Sequence, residues 1–333
     1  MHPAPSSSTA TAPPQRVFLL GATGTIGQAT LHALLKQGHQ VVCFGRAASQ
    51  VQTPKLAGVT YRWGDVSDPA SLARDGFAGE AFDAVVSCMA SRTGAPRDAW
   101  AIDHQAQCHV LQAAQAAGVT HFVLLSAICV QKPKLAFQHA KLAFEQALIN
   151  SGMRYSIVRP TAFFKSLSGQ IERLRQGKPF LLFGNGELTA CKPIADDDLG
   201  DYLAGCLSDH QRHNQVLPIG GPGPAITPLQ QGHMLFELMG KPPKFKRVPV
   251  GLLDGIIAVL SILGHVVPTL ANKAELARIG RYYATESMLV FNPNTERYDE
   301  ALTPSHGLMT LRAHYAALIA QDRSVNLGDH AVF

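Results

Sequence analysis

Charge is scarce in this chain of 333 residues: Asp, Glu, Lys and Arg make up 16% of it, against 46% hydrophobic residues. That balance excludes a disordered protein and leaves apolar surface over for an oily ligand. The net charge of +5 comes with no long basic run and no basic–aromatic alternation, so nucleic acid is not expected as a partner. The six cysteines, at positions 43, 88, 108, 129, 191 and 206, contain no C-x-x-C pair and none stands at zinc spacing from a histidine. They read as buried thiols of a reducing compartment. The fourteen histidines include no H-E-x-x-H, and no metal site is expected. Residues 1–15 lack a basic cluster, an apolar run and the arginines of a transit peptide, so they read as a loose tail and the location as cytoplasmic. Residues 321–333 read as a polar tail. The most apolar stretch, 252–268, is short for a bilayer span and is broken by Asp254, Gly255, Gly264 and His265. It predicts a buried or interfacial helix, whose surplus apolar residues face a core, a ligand or a membrane surface.

What is present is an alternation of two periods. Short apolar runs at 17–20, 41–44, 59–63, 84–87, 121–125 and 155–158 predict strands. Helical patterns separate them, among them 100–117 and 134–150, with Gly38, Gly118 and Gly152 closing three helices. Beyond Arg159 the spacing predicts helices over 163–176 and 194–207, a last strand at 216–219, and mostly helix to about 320. The acids Asp196, Asp197 and Asp198 suit a helix start, where they offset exposed N–H groups. Strands alternating with helices of this length predict a parallel, doubly wound sheet with ligands at the carboxyl ends of its strands.

One loop gives that sheet a chemistry. Gly21, Ala22, Thr23, Gly24, Thr25, Ile26 and Gly27 follow the first strand and open the first helix. A phosphate-binding turn requires this placement. Gly21 permits the tight turn, Gly24 lets backbone approach a pyrophosphate, and Gly27 allows close helix packing, while amides at the helix start face the anion. The expected fold class is thus α/β: a doubly wound parallel Rossmann sheet over 16–160, then a smaller, mostly helical substrate-binding part over 161–320, with 190–220 returning to the sheet. The second strand ends in Arg46, not in the acid that would bond a ribose 2′-hydroxyl; an arginine there suits a 2′-phosphate, and the expected cofactor is NADPH. Asp65 and Val66, after the third strand, are placed at the adenine. Cys88, Met89 and Ala90, with Ser91, follow the fourth strand and are placed on the adenine–ribose side.

This layout resembles the short-chain dehydrogenase/reductase superfamily, particularly its extended and atypical branches, over about residues 16–220. The resemblance implies a serine after strand five, here Ser126, and a Y-x-x-x-K helix motif, here with Lys141 as the lysine on the nicotinamide ribose. Four residues before Lys141 stands Phe137, which cannot donate a proton. Carbonyl reduction and sugar epimerisation by that tyrosine are therefore in doubt. Reduction of a carbon–carbon double bond, or cofactor sensing without chemistry as in NmrA-type regulators, are the two routes left.

A more specific resemblance comes from the strings RPTAFFKSL at 159–167, ACKPI at 190–194, VLPIGGPG at 216–223, TPLQQG at 227–232 and PKF at 243–245, with Ala140, Lys141, Leu142, Phe144 and Glu145. Together they look like the divinyl chlorophyllide a 8-vinyl-reductase family, over about 16–320. The resemblance implies reduction of the 8-vinyl group of divinyl chlorophyllide or protochlorophyllide to ethyl by NADPH. It also implies a tetrapyrrole as partner; with no transit peptide read at residues 1–15, the expected place is a photosynthetic bacterial cytoplasm, with peripheral contact to the photosynthetic membrane. Pro160 and Thr161 are then placed at the cofactor, and Phe163, Phe164 and Phe183 at a flat, greasy pocket. Lys165 or Lys192 is placed at the pigment's propionate. His139, a lone helix histidine, has no cluster to make it a magnesium ligand. The alternatives are another alkene reductase of isoflavone-reductase type and an NADP-sensing regulator.

Overall fold

The computed structural model describes residues 13–52, 56–264 and 267–321, so most of both expected tails lies outside the described residues. Its strands are β1 (Arg16–Leu20), β2 (Gln40–Gly45), β3 (Val59–Trp63), β4 (Ala84–Ser87), β5 (His121–Leu125), β6 (Arg154–Pro160), β7 (Phe180–Phe183), β8 (Gln215–Ile219), β9 (Phe245–Val248), β10 (Val290–Asn292) and β11 (Arg297–Asp299). Seven of them form one sheet in the order β3-β2-β1-β4-β5-β6-β8, and every pairing in it is parallel. The order reverses between β1 and β4, which opens a crevice at the carboxyl ends of these two strands. The doubly wound Rossmann sheet is therefore as expected.

Its strands are apolar on both faces because helices cover both. Val17 and Leu19 point to one layer with Leu34, Leu199 and Leu203; Phe18 and Leu20 point to the other with Phe44, Phe122 and Phe144. Successive side chains of one strand thus feed two separate cores. In the first layer the helix Thr25–Lys36 crosses the helix Asp196–Gly205 at Gly200, where a Cβ would come within 2.6–2.8 Å of the Ala29 and Thr30 backbone.

Three elements differ from the sequence reading. The helix expected at 100–117 starts earlier, at Pro96–Ala99, and passes through a wide π-type turn at Trp100–Ala106 before Gln107–Ala116. The helix expected at 163–176 is split into Phe164–Leu167 and Ile171–Arg175 by a tighter turn at Ser168–Gln170. The third difference is that the carboxyl-terminal part is not all helix: β7 pairs with β9 and β10 with β11. These strands are three or four residues long, too short to show a period.

The apolar stretch forms the helix Val250–Gly264, none of whose residues is buried; Val259 is 57% and Ile262 71% exposed. A core role is thereby excluded. The helix lies on Pro268–Thr285, to which Arg281 ties it through Asp254. The inner helix meets the body through Ile279 and Tyr282, both buried. Tyr282 donates to the carbonyls of Cys129 (2.9 Å) and Lys132 (3.1 Å). Glu286 takes Lys132 at 3.0 Å, the Tyr298 hydroxyl at 2.6 Å, and Lys134. Gln131 donates to the Leu289 carbonyl and accepts from the Phe291 amide. The carboxyl-terminal part is thus clamped to the loop after β5, immediately before the helix that carries Lys141.

Gly200→Ala is expected to destabilise the fold by about 1–3 kcal/mol through overpacking of two backbones. Urea unfolding checks this, and an unchanged midpoint would mean that the two helices slide apart freely.

Candidate active site

The crevice beside β1 is built from backbone. Gly21 has φ +77°, and a Cβ on it would lie 2.6 Å from the Cys88 carbonyl carbon and 2.9 Å from the Met89 nitrogen. A Cβ on Gly27 would lie 2.0 Å from the Gly21 carbonyl oxygen. The loop therefore closes only with hydrogen at both positions. Gly24 caps the helix with its backbone alone: its N–H bonds the Gly21 carbonyl at 3.0 Å and its carbonyl accepts Gln28 at 2.9 Å. No side chain caps the first turn, so amides at Thr25, Ile26 and Gly27 point outward as donors for an anion. Thr23 and Gly24 are exposed and Ile26 is buried. A cradle that a Cβ would fill, at a bare helix start, fits a dinucleotide pyrophosphate.

Around it the strand ends bring the other expected residues together. Arg46 is exposed at the end of β2. Asp65 is exposed, its carboxylate accepting the Ser67 amide, while Val66 is buried. Cys88 turns its sulfur inward to Thr30, 3.6 Å away, and burial pushes its thiol up to about 12; only its backbone faces the loop. Met89 is half-buried and Ala90 exposed. Pro160 and Thr161 are buried at the end of β6, with the Thr161 hydroxyl on the Lys192 carbonyl.

Several side chains lie elsewhere than the sequence suggested. Ser126 is 5% exposed and gives its hydroxyl to Glu145, which also holds Arg159. It is thus engaged within the fold. Phe164 is 2% exposed in a core with Ile171, Leu174 and Phe180, which takes it off any pocket wall. Phe163 and Phe183 are half-buried. Lys192 reaches away to the Thr303 carbonyl at 3.0 Å, beside an open cavity of about 880 Å³ rimmed by Arg297, Asp299 and Glu300. Lys165 bonds the Thr25 hydroxyl at 3.0 Å, at the mouth of the first helix. Lys141 pairs with Asp103 at 3.0 Å. Phe137, four residues earlier, packs with Ile279 and Tyr282 of the inner apolar-hairpin helix.

Two acids went unnoticed as site residues in the sequence. Asp103 sits within what reads as one uninterrupted helix, with no local signal for the wide turn that buries it. Asp196 reads as one of three helix-capping acids, yet its Oδ1 is buried without a hydrogen-bond partner. Burial pushes its carboxyl up to about 6, against the pull of the Lys165 ammonium.

Comparison with known proteins follows the same lines. Residues 21–210 match the NAD(P)H-binding family model. The chain is 45% identical, over 95% of its length and 82% of the other's, to divinyl chlorophyllide a 8-vinyl-reductase, chloroplastic, of Zea mays. The protein of the same name from Oryza sativa subsp. indica is also 45% identical, over 99% of this chain and 83% of that one. The chain belongs to the divinyl chlorophyllide a 8-vinyl-reductase family. Among solved structures, an NADPH-dependent quinone oxidoreductase of Escherichia coli complexed with NADPH superposes with a TM-score of 0.64, covering 91% of this chain and 99% of that one at 20% identity. At that identity the likeness is one of fold. Family membership makes the chain an NAD(P)H-dependent oxidoreductase.

Asp196 provides a pH test. Its proton is held more tightly in the folded chain than in the unfolded one, so its contribution to stability falls as pH rises from 3.8 to about 6. Asp196→Asn should therefore stabilise the protein above that window by on the order of 1 kcal/mol, roughly 2–4 °C in melting midpoint, and do little at pH 4. Melts at pH 4 and 7.5 decide it; equal effects at both would show that burial of the charge is not the cause.

Proposed function

We propose that the chain reduces the 8-vinyl group of divinyl chlorophyllide a, or of its protochlorophyllide counterpart, to ethyl, with NADPH as donor. The observation that carries this is 45% identity along 95% of the chain to a protein named for that reaction. The lysine-without-tyrosine cleft supports it. A vinyl group conjugated with a tetrapyrrole spreads the charge that hydride addition creates, so no acid is needed to polarise an oxygen. Bound reduced nicotinamide supplies the hydride.

The chain's own work is binding, orientation and exclusion of water. The first-turn amides at Thr25–Gly27 hold the pyrophosphate, and Lys165 adds a cation at the same place rather than at a propionate. Arg46 takes the 2′-phosphate, and Asp65 and Val66 border the adenine. Lys141, Pro160 and Thr161 border the nicotinamide end. Phe163 and Phe183 offer flat faces to the pigment, and Lys192 a cation further out. The exposed apolar helix Val250–Gly264 supports contact with a membrane edge, and a bacterial cytoplasm beside the photosynthetic membrane is part of the same proposal. No described helix is long and apolar enough to cross a membrane.

Purified protein with NADPH and divinyl chlorophyllide should shift the pigment's Soret band to the blue; no shift from protein that binds NADPH would remove the substrate. Arg46→Ala should cut the preference for NADPH over NADH by about tenfold or more, the equivalent of one charge-assisted contact of roughly 1.5–3 kcal/mol. If the unmodified protein uses both cofactors equally well, Arg46 has no such role.

A further inference from the structure

Asp103 is 2% exposed and its carboxylate is wholly shielded from solvent. Oδ1 is occupied: it takes the Lys141 ammonium at 3.0 Å and the Ser91 amide at 3.1 Å. Oδ2 is equally buried and has no donor. Leaving a buried carboxylate oxygen unmet is costly, and native structures rarely do so without a bound water or a working role. The residue stands in the wide turn Trp100–Ala106, a helical irregularity that recurs at functional sites. Ser91, its second partner, ends the loop that runs from β4 through Cys88 and Met89 along the cofactor crevice. A buried acid thus joins the cofactor loop to Lys141.

The surroundings restrict what this pair does. Phe137 offers no proton on the same helix face. The Ser126 hydroxyl is committed to Glu145. Thr161 is committed to the Lys192 carbonyl. Lys141 keeps 12% of its side chain accessible. It is therefore the group on this wall that combines an exchangeable proton with an opening.

Resting on the alkene-reductase reading, we propose that Lys141 is the acid that completes the reaction, and that Asp103 is the positioning residue that aims it and returns its proton from a water held on Oδ2. The electrons balance. Hydride adds to one vinyl carbon with its electron pair, and the π pair moves to the other carbon and into the macrocycle. That carbon forms a C–H bond with a proton from Lys141 Nζ as the N–H bond breaks. The amine left beside the carboxylate takes a proton from the Oδ2 water, and the hydroxide so formed takes one from solvent through the opening at Lys141. The net change consumes one hydride and one solvent proton per vinyl group.

A double-mutant cycle on the full chain tests this, with NADPH affinity by fluorescence titration as a readout independent of turnover. Asp103→Asn is expected to keep its NADPH dissociation constant and its KM for divinyl chlorophyllide within about threefold, and to lose about 100-fold or more in kcat, the range of a general acid. Lys141→Met should lose as much, with partial recovery on adding methylamine. In the Lys141→Met background, Asp103→Asn should cost nothing more, because Asp103 acts through Lys141. That double variant also removes the buried charge together with its partner, which keeps the cycle readable if Asp103→Asn alone folds poorly. Turnover of Asp103→Asn within threefold of the unmodified protein overturns the proposal. So do additive losses, or a rate loss matched by lost NADPH affinity. Pigment reduction that survives in those variants leaves the reductase reading standing, whereas an unmodified protein that binds NADPH yet leaves the pigment unchanged overturns both.

Discussion

Everything in this protein is arranged around a place where side chains are forbidden. The Gly21 carbonyl lies so close to Gly27 that a single methyl would overlap it, and the Cys88 backbone closes on Gly21 from the other side. Three backbone segments, from the ends of β1 and β4 and the start of the first helix, therefore meet with hydrogen atoms between them. That contact sets the angle at which the helix leaves the sheet, and so the direction of its outward amides. It also fixes which helices can lie behind it: Gly200 meets Ala29 on the helix's far side, again backbone to backbone. An anion site made this way is rigid before anything binds, and its donors are not side chains that must be ordered.

Beyond β8 the chain is held to the loop after β5 by polar contacts beside the apolar cluster of Ile279 and Tyr282. Glu286 is the centre of this attachment. Burial opposes its charge, but Lys134, Tyr298 and Lys132 hold its carboxyl below the usual range. The partners come from both sides of the junction, Lys132 and Lys134 from the loop after β5 and Tyr298 from β11. Since the Lys141 helix begins at Ala136, the clamp sets the cleft wall and its roof in one step. The position of that roof over the sheet is then largely a matter of a few charge-assisted bonds.

How much of this could be read from residues depended on whether the cause was local. The six strands up to β6 and their partner β8 were legible because each is an apolar run between helices and carries its own period. The glycine loop was legible because turn, close approach and helix start all demand glycine at fixed spacing. Asp103 was not, since the wide turn that buries it leaves no mark in Trp100–Ala106 itself. Phe164 was misplaced for a related reason: in a run of two phenylalanines at 163 and 164, nothing local says which one faces the core. Lys165 and Lys192 were read as alternatives for one task, yet the fold sends the first to Thr25 and the second to Thr303. Long side chains take their direction from the tertiary neighbours they find.

The exposed apolar hairpin can be understood in the same physical terms. A helix with Asp254 as its charged residue, and that acid paired with Arg281, offers water almost nothing to solvate. Soluble monomers rarely keep such a patch unless something covers it. Here the patch is not remote: Val250–Gly264 lies on Pro268–Thr285, and that inner helix packs through Ile279 and Tyr282 onto Phe137. Phe137 is one turn from Lys141. Whatever oily surface meets the outer helix is therefore two packed layers from the helix that carries Lys141. A hydrophobic pigment moving from such a surface would pass along apolar contacts toward Lys141 and Asp103, which are already matched to one another.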